Sequence, residues 1–108
     1  MTTKRLPLHA GWDEAIRHGR KTIDARLATD DATLLKVGDV VRYHGVRARI
    51  RHIRRYRGFR DLVAYEDWRK IAPEAGSREE ALHLLEDDLA ETGRDLGVVA
   101  FELEPVHE

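Results

Sequence analysis

The chain has 108 residues, a length that fits one domain, and 42% of them are apolar, which suffices for one modest core. It contains no cysteine, which excludes a disulfide framework, a thiolate nucleophile and a zinc–thiolate site. The net charge of −1 hides an asymmetry, because residues 1–60 carry 15 Lys or Arg against 6 Asp or Glu, whereas residues 61–108 carry 4 against 14.

The first elements are a short strand and a helix. Residues 4–9 read as a strand, which Pro7 confines to an edge or to an opening position. Apolar residues then recur at helical spacing, and acidic residues occupy the first turn, so we predict a helix over residues 12–18. Gly19 stands where this helix ends.

The stretch from Gly19 to Leu27, GRKTIDARL, holds the largest concentration of reactive side chains. Lys21 lies in the turn after the helix, where we expect a lysine to bury little of its surface. From position 22 onward the pattern has a period of two, which predicts a strand. Its apolar face is Ile23, Ala25 and Leu27, and its polar face is Thr22, Asp24 and Arg26.

The next segment, residues 28–39, reads as a polar loop that closes with a turn at Gly38 and Asp39. A strand over residues 40–43 and a hairpin turn at His44 and Gly45 lead into a second strand, VRARIRHIRRY. In that strand the apolar alternation slips by one residue between Ile50 and Ile53. The slip predicts a β-bulge near positions 51 and 52.

This second strand is rich in arginine, and Tyr56 lies among its last arginines. Guanidinium groups around an aromatic ring suit phosphates and stacked bases, so one hypothesis is an RNA-binding surface. Two alternatives stay open: an exposed strand whose arginines deter edge pairing, and two charged halves of the chain that neutralise each other. The arginines are Arg47, Arg49, Arg51, Arg54, Arg55 and Arg57.

The remaining elements are mostly helical. A helical region starts near Phe59 and is broken by Pro73. After a loop, Ser77 and Glu80 form a capping box for a second helix, which ends at Gly93. A strand over residues 97–104 closes the chain. The order β, α, β, β, β, α, α, β favours an α+β fold, a small mixed barrel with flanking helices. The predicted barrel core is Ile23, Leu27, Val41, Ile50, Ile53, Val99, Phe101 and Leu103.

Four residues carry a resemblance to a known family. Gly19, Lys21, Asp24 and Arg26 match the G-x-K-x-x-[E/D]-x-R signature of ASCH domains, a branch of the PUA-like superfamily, and the layout of nearly the whole chain is similar. The resemblance implies a single PUA-like domain over residues 1–108. Its fold would be a barrel of five or six strands, with a cleft beside it that meets RNA or a modified nucleoside.

Within that superfamily, a compact bacterial branch hydrolyses the acyl amide of acetylcytidine with a lysine, a threonine and a glutamate. The resemblance places the lysine at Lys21, the threonine position at Asp24 and the glutamate at Glu74. This sequence departs from the branch at Asp24, which instead matches the acidic residue of the broader ASCH motif. The side chains expected to bind substrate or RNA are Arg26, Thr22, Arg49, Arg51, Arg54, Arg55 and Tyr56.

The chemistry of the motif leaves the roles of Lys21 open. Lys21 is a general base only if burial lowers its pKa toward neutrality, and a nearby Asp24 acts in the opposite direction. Otherwise Lys21 donates to a phosphate or carbonyl, and Glu74 activates water. Each role has an alternative without function. Lys21, Asp24 and Arg26 could form salt bridges at the surface, and Glu74 could be a solvated carboxylate in a loop.

Three functions therefore stay open: a hydrolase of acylated cytidine, a non-catalytic RNA or modified-base binding module, and a ribonuclease acting on single-stranded RNA. We expect no cofactor and no metal site, because the six histidines are scattered without ligand spacing. No apolar run approaches membrane-spanning length, and the N-terminus lacks the apolar stretch of a secretory signal. We therefore expect a cytoplasmic protein with no membrane partner. The sequence does not indicate an oligomeric state.

Overall fold

The computed structural model describes residues 3–5, 12–43, 45–92 and 97–106. Within these ranges the strands are β1 (Thr3–Arg5), β2 (Ile23–Leu27), β3 (Val40–Tyr43), β4 (Val46–Tyr56) and β5 (Val98–Pro105). The helices are α1 (Trp12–Arg17), α2 (Asp30–Thr33), α3 (Phe59–Tyr65), α4 (Trp68–Ile71) and α5 (Arg78–Thr92). The rest of the predicted first strand, residues 6–9, and the predicted helix end at Gly93 lie outside the described residues.

The strands form one sheet in the order β1-β3-β4-β5-β2. β1 runs parallel to β3, and the other four strands pair antiparallel and curl into a half-barrel. The predicted α+β class, with a curled sheet and flanking helices, is confirmed at this level. In the described part of the chain β1 and β2 are the sheet edges, and β4, the arginine-rich strand, is an interior strand. β3 pairs with residues 46–49 of β4, whereas β5 pairs with residues 48–56. The alternative of an arginine-protected edge strand is therefore wrong for Arg49, which is paired on both sides, and stays open for the second half of β4.

The predicted bulge is present in β4. Its register against β5 shifts between Ile50 and His52, so Ile50 is opposite Leu103 and His52 is opposite Glu102. The shift leaves Arg51 and His52 both exposed and returns Ile53 to the side of the sheet that Ile50 occupies. An extra residue is the simplest way to keep both isoleucines on the core side of one strand.

Local signals place the turns and the last helix correctly. Gly45 has φ +81° in the two-residue hairpin that joins Tyr43 to Val46. The Ser77 hydroxyl accepts a hydrogen bond from the Glu80 N–H at 3.1 Å and caps α5, as predicted. The Glu80 carboxylate accepts from the Gly76 N–H at 2.7 Å, so the second half of the predicted capping box is shifted by one residue. The predicted loop over residues 28–39 contains the short helix α2, and the helical region after position 58 is two helices instead of one.

The core consists of two clusters on opposite sides of the sheet. One lies between the sheet and helices α3 to α5 and includes Ile23 and Leu27. The other lies inside the half-barrel and includes Val41, Ile50, Val99, Phe101 and Leu103, with Ile53 packed against it. The predicted barrel core is therefore confirmed for the six residues inside the half-barrel and wrong for Ile23 and Leu27, because the helices cover the outer face of β2 and β5 and both faces of these strands are buried.

Candidate functional site

The turn after α1 delivers Lys21 into the protein. Gly19 takes φ +77°, a left-handed conformation that glycine adopts without strain and that commonly ends helices. The backbone N–H groups of Arg20 and Lys21 then both donate to the carbonyl of Ala15, at 2.9 and 3.0 Å. The chain is thereby folded back on α1 immediately before β2 begins. The sequence predicted this helix end correctly.

The side chain of Lys21 is only 1% exposed, so the expectation that a turn lysine buries little surface is wrong. Its Nζ donates to the carbonyl of Ile23 at 2.7 Å and to the carbonyl of Ile71 at 2.5 Å. Ile71 is the last residue of α4, whose terminal carbonyls have no partner within the helix. The backbone N–H of Thr22 donates to the carbonyl of Lys70, the residue before Ile71, at 3.0 Å. The motif thus caps the C-terminus of α4.

Burial also changes the acidity of Lys21. Desolvation lowers the pKa of Lys21 from 10.5 to about 8, because an ammonium group loses its hydration inside the protein. Asp24 and Glu74 raise this pKa and Arg26 lowers it, but desolvation is the largest contribution. The effect of burial on the pKa of Lys21 therefore outweighs the opposite effect of Asp24.

Asp24 is 1% exposed, and one of its oxygens receives two hydrogen bonds. Oδ2 accepts from Arg26 Nε at 2.7 Å and from the hydroxyl of Tyr43 at 2.7 Å. Alternation along β2 places Asp24 and Arg26 on one face, as predicted, and the curl of the half-barrel brings Tyr43 of β3 to them. The charge of the carboxylate is balanced by Arg26, which reduces its effect on Lys21.

Tyr43 is a member of this site that the sequence reasoning did not identify. The guanidinium of Arg26 lies over its ring, with Cζ 6.0 Å from the ring centroid. Burial, and then the charge of Asp24, raise the pKa of Tyr43 well above its usual value, so the hydroxyl remains a donor. The sequence did contain a sign of its role. Tyr43 lies two residues after Val41 on the buried face of β3, and a buried tyrosine hydroxyl needs a hydrogen-bond partner.

The other predicted catalytic residue lies close to this group but at the surface. Glu74 is exposed in the loop after α4 and is near enough to Lys21 to raise its pKa. Thr22 is half-buried, and its carbonyl accepts from the Leu103 N–H at 2.7 Å. The structure therefore brings together Lys21, Asp24 and Arg26, with Thr22 and Glu74 beside them.

Two of the predicted binding residues form a separate network on α3 and the sheet. Arg54 donates to Glu66 through Nε at 2.5 Å and Nη2 at 3.1 Å, and to Glu102 through Nη2 at 3.2 Å. The hydroxyl of Tyr56 donates to Glu66 at 2.5 Å, and its ring stacks on Tyr65. Arg54, from the basic half of the chain, is therefore neutralised by glutamates from the acidic half, as one of the alternatives predicted.

The remaining predicted binding residues are exposed. Arg51 makes one long, exposed ion pair with Glu104 at 3.5 Å. Arg49 lies on the same face of β4 and is opposite Glu104 in the register. Arg55 is opposite Val99 and thus lies on the other face of β4 from Arg54. The arginines of β4 therefore do not form one continuous surface.

The structure thus defines a small α+β protein with a buried lysine beside an aspartate, arginine and tyrosine group. Among the described residues there is no cluster of three or more His, Cys, Asp or Glu side chains arranged to hold a metal ion. No helix in the same ranges is long and apolar enough to cross a bilayer.

The fold has relatives among solved structures. The crystal structure of hypothetical protein PH0355 is similar over 98% of this chain and 100% of that chain, with 28% identity and a TM-score of 0.87. The solution NMR structure of protein PF0455 from Pyrococcus furiosus covers 100% of both chains, with 29% identity and a TM-score of 0.80. No protein-family model and no curated protein matches the chain. These findings support the fold and assign no activity.

Proposed function

We propose that the chain is an ASCH-like protein of the PUA-like superfamily that hydrolyses the acyl amide of an acylated cytidine. The observation that carries the proposal is the buried amine of Lys21, whose pKa is lowered to about 8. A lysine acts as a general base only when a substantial fraction of it is neutral near the working pH. Most surface lysines do not meet this condition, since their usual pKa is about 10.4.

In the proposed reaction, the neutral Lys21 amine takes a proton from a water molecule while the water oxygen attacks the acyl carbonyl carbon. The carbon–nitrogen bond then breaks, and the proton on Lys21 returns to the leaving nitrogen. The products are a carboxylic acid and the free amino group of cytidine. The guanidinium of Arg26 is the candidate donor to the oxyanion, and Glu74 is the second candidate for proton transfer.

The hydrogen bonds of Lys21 are compatible with this change of protonation. A neutral amine keeps two N–H groups, which is the number required by the carbonyls of Ile23 and Ile71. Loss of the third proton therefore does not require either hydrogen bond to break. The ion pair between Asp24 and Arg26 also favours the neutral form of Lys21, because Arg26 offsets the charge of the carboxylate that would stabilise the ammonium form.

A second candidate function is a non-catalytic module for RNA or a modified base. It is favoured by the 1% exposure of Lys21 and by its position on the last carbonyl of α4, which is a structural role in its own right. In that case Lys21 would hold α4 against β2, and the ligand would contact the groups around it. No observation favours the ribonuclease alternative, which remains a prediction from the resemblance.

Turnover of acetylcytidine by Lys21 variants tests the proposal. Lys21→Ala should lower kcat/KM by about 100-fold or more, the usual contribution of a general base. Lys21→Arg should not restore the rate, because a guanidinium stays protonated. For the wild type, kcat/KM should rise as the pH passes about 8, where the folded Lys21 loses its proton. The matched control is Lys36→Ala, which removes an exposed lysine.

Full activity of Lys21→Ala would show that the site assignment is wrong. Binding of cytidine ligands without turnover by the wild type would favour the second candidate. In that case Lys21→Ala should lower the affinity together with the melting temperature, since Lys21 then acts by holding α4 against β2. Circular dichroism and thermal unfolding of each variant separate loss of function from loss of fold.

A further inference from the structure

The second half of β4 has an open edge. β3 pairs with the first half of β4, and the turn before β3 adds two hydrogen bonds, from Ile50 to the Asp39 carbonyl and from Gly38 to the Ile50 carbonyl. Beyond Ile50, β5 is the only described strand that pairs with β4. No described strand therefore continues the line of β3 beside residues 53–56.

The hydrogen bonds of β5 show which backbone groups point to this edge. The Leu103 N–H donates to the Thr22 carbonyl, on the side of β2. Backbone direction alternates along an antiparallel strand, so alternate residues of β5 counted from Leu103 face β2, and the residues between them face β4. Ala100 and Val98 are among those that face β4.

The backbone of β4 alternates to match. The residues opposite Ala100 and Val98 are Arg54 and Tyr56, so the N–H and C=O groups of these two point to β5. The backbone groups of Ile53 and Arg55 therefore point to the open edge. Within the described ranges no backbone group is hydrogen-bonded to them.

The other edges of the described sheet are less open. β1 is only three residues long. On β2, the Ile23 carbonyl accepts from Lys21 Nζ at 2.7 Å, and the Leu27 carbonyl accepts from the Thr29 N–H at 2.8 Å. An exposed strand edge is a template for another strand unless it is short, covered or otherwise blocked.

The side chains along the open edge are apolar and basic. Ile53 is half-buried against the core inside the half-barrel, and Arg55 is exposed on the same face of the strand. Arg57, directly after the strand, is also exposed. On the other face Tyr56 stacks on Tyr65, which is 79% exposed. An added strand that carries acidic and apolar residues complements these groups in charge and polarity.

A second copy of β4 does not complement this edge. Antiparallel pairing of two copies about a two-fold axis, with the outward residues bonded to each other, has three possible registers. Arg55 would be opposite Arg51, Arg54 opposite Arg54, or Arg55 opposite Arg55. Like charges placed directly opposite each other destabilise a sheet.

We propose that an extended acidic segment of a partner protein adds to the sheet beside residues 53–56, antiparallel to β4. Its backbone exchanges hydrogen bonds with Ile53 and Arg55, a carboxylate faces Arg55, and an apolar side chain packs beside Ile53. A nucleic acid fits the edge less well, because phosphodiester groups are acceptors only and leave the two outward carbonyls unpaired. The edge shares no residue with the Lys21 site, so this inference does not depend on the proposed reaction.

The test uses the full chain and a labelled peptide with the core Glu-Val-Glu-Thr-Val. In the proposed register its second glutamate is opposite Arg55 and its last valine is opposite Ile53. Amide hydrogen exchange, followed by NMR, reports the pairing directly. In the free protein the amides of Ile53 and Arg55 should exchange faster than those of Arg54 and Tyr56, which point to β5. Saturating peptide should slow exchange at Ile53 and Arg55.

Fluorescence anisotropy then separates backbone pairing from charge. N-methylation of the second glutamate, whose N–H meets the Arg55 carbonyl, should abolish binding, whereas N-methylation of the threonine, whose N–H points away from β4, should not. Arg55→Glu should weaken binding about tenfold, and a peptide with lysine in place of the second glutamate should restore it. Arg60→Glu changes the charge equally at an exposed position of α3 and should leave the affinity unchanged.

Several outcomes would overturn the proposal. Exchange at Ile53 and Arg55 that the peptide leaves unchanged would show that the arginines of β4 only keep other strands away. Equal losses from the two N-methylations, or from Arg55→Glu and Arg60→Glu, would show attraction by overall charge. Binding of an oligouridine but not of the peptide would assign the edge to a nucleic acid. Protection of the two amides that rises with protein concentration, without peptide, would assign it to a second copy.

Discussion

Two networks in this protein contain the same three chemical groups. In one, the carboxylate of Asp24 accepts hydrogen bonds from Arg26 and from the hydroxyl of Tyr43. In the other, the carboxylate of Glu66 accepts from Arg54 and from the hydroxyl of Tyr56. The networks differ in burial, because the Arg26 side chain is 18% exposed and the Arg54 side chain is 36% exposed.

The more open network shows what these groups do when water is near. Burial alone would raise the pKa of Glu66, but hydrogen bonds from Arg54 and Tyr56, together with the charge of Arg54, outweigh it and lower that pKa. The hydrogen bond to Glu66 raises the pKa of Arg54. Every charge in this network is therefore favoured, which is the behaviour of a stabilising ion pair.

In the buried network, by contrast, the charged form of the neighbouring Lys21 is disfavoured. Asp24 and Arg26 balance each other, and Lys21 is left as a third ionisable group, whose charge is opposed chiefly by desolvation. A buried lysine whose pKa is lowered, close to a paired acid and base, is typical of functional sites, whereas Arg54 and Glu66 are typical of a structural pair. The contrast depends on burial and on the presence of Lys21, and three changes test it.

The largest effect is expected from Asp24→Asn. Removing the carboxylate charge leaves the partly buried Arg26 without its counterion, and breaking such a pair costs about 3 to 5 kcal/mol in the free energy of unfolding. The pKa of Lys21 should fall further, because Asp24 raises it in the wild type. Denaturant unfolding measures the first effect, and NMR titration of the Lys21 side chain measures the second.

Asp61→Asn is the control for this change, since Asp61 is exposed in the first turn of α3, where an acid contributes less than about 1 kcal/mol. Equal losses from the two substitutions would contradict the assignment of Asp24 to a buried ion pair.

The next effect is a pH dependence that Lys21→Met should abolish. The pKa of Lys21 is lower in the folded state, about 8, than in the unfolded chain, 10.5. Below pH 8 both states are protonated, and the folded state bears the full cost of the buried charge. Between pH 8 and 10.5 the unfolded state binds more protons, so wild-type stability should rise relative to Lys21→Met by about 3 kcal/mol.

Urea unfolding of both proteins across this pH range measures the difference. Comparing the two proteins at each pH is essential, because the raised pKa of Tyr43 lowers stability above pH 10 in both of them. A stability difference that does not change with pH would show that Lys21 titrates as an ordinary surface lysine.

The smallest effect is expected from Glu66→Gln in the more open network. Replacing a carboxylate that accepts from Arg54 and Tyr56 should cost about 2 kcal/mol at neutral pH. Because the folded pKa of Glu66 is lowered, this contribution is present above pH 4.5 and is lost as the pH falls through the folded pKa. The difference from the wild type should therefore shrink in acid, as thermal unfolding at several pH values would show.

Glu104→Gln is the matched control, since the ion pair of Glu104 with Arg51 is exposed and long. An exposed pair of this kind contributes about 0 to 1 kcal/mol. If Glu104→Gln were as destabilising as Glu66→Gln, burial would not be the property that distinguishes these networks.

The sequence by itself determined the features that depend on near neighbours. The helix stop at Gly19, the alternation along β2, the bulge before Ile53 and the cap at Ser77 all follow from backbone conformation and side-chain period within a few residues. Alternation also placed Asp24 and Arg26 together for the same reason, since alternate residues share a strand face.

Only the tertiary structure decided the chemical state of these groups. Lys21 is buried because α4, 50 residues further along the chain, supplies a carbonyl to it, and Asp24 receives a hydroxyl from Tyr43 across the half-barrel. Arg54 meets Glu66 and Glu102 in the same way. No period in the sequence encodes such contacts, because they depend on how the sheet curls and on which of its faces the helices cover, and burial of that kind sets each pKa.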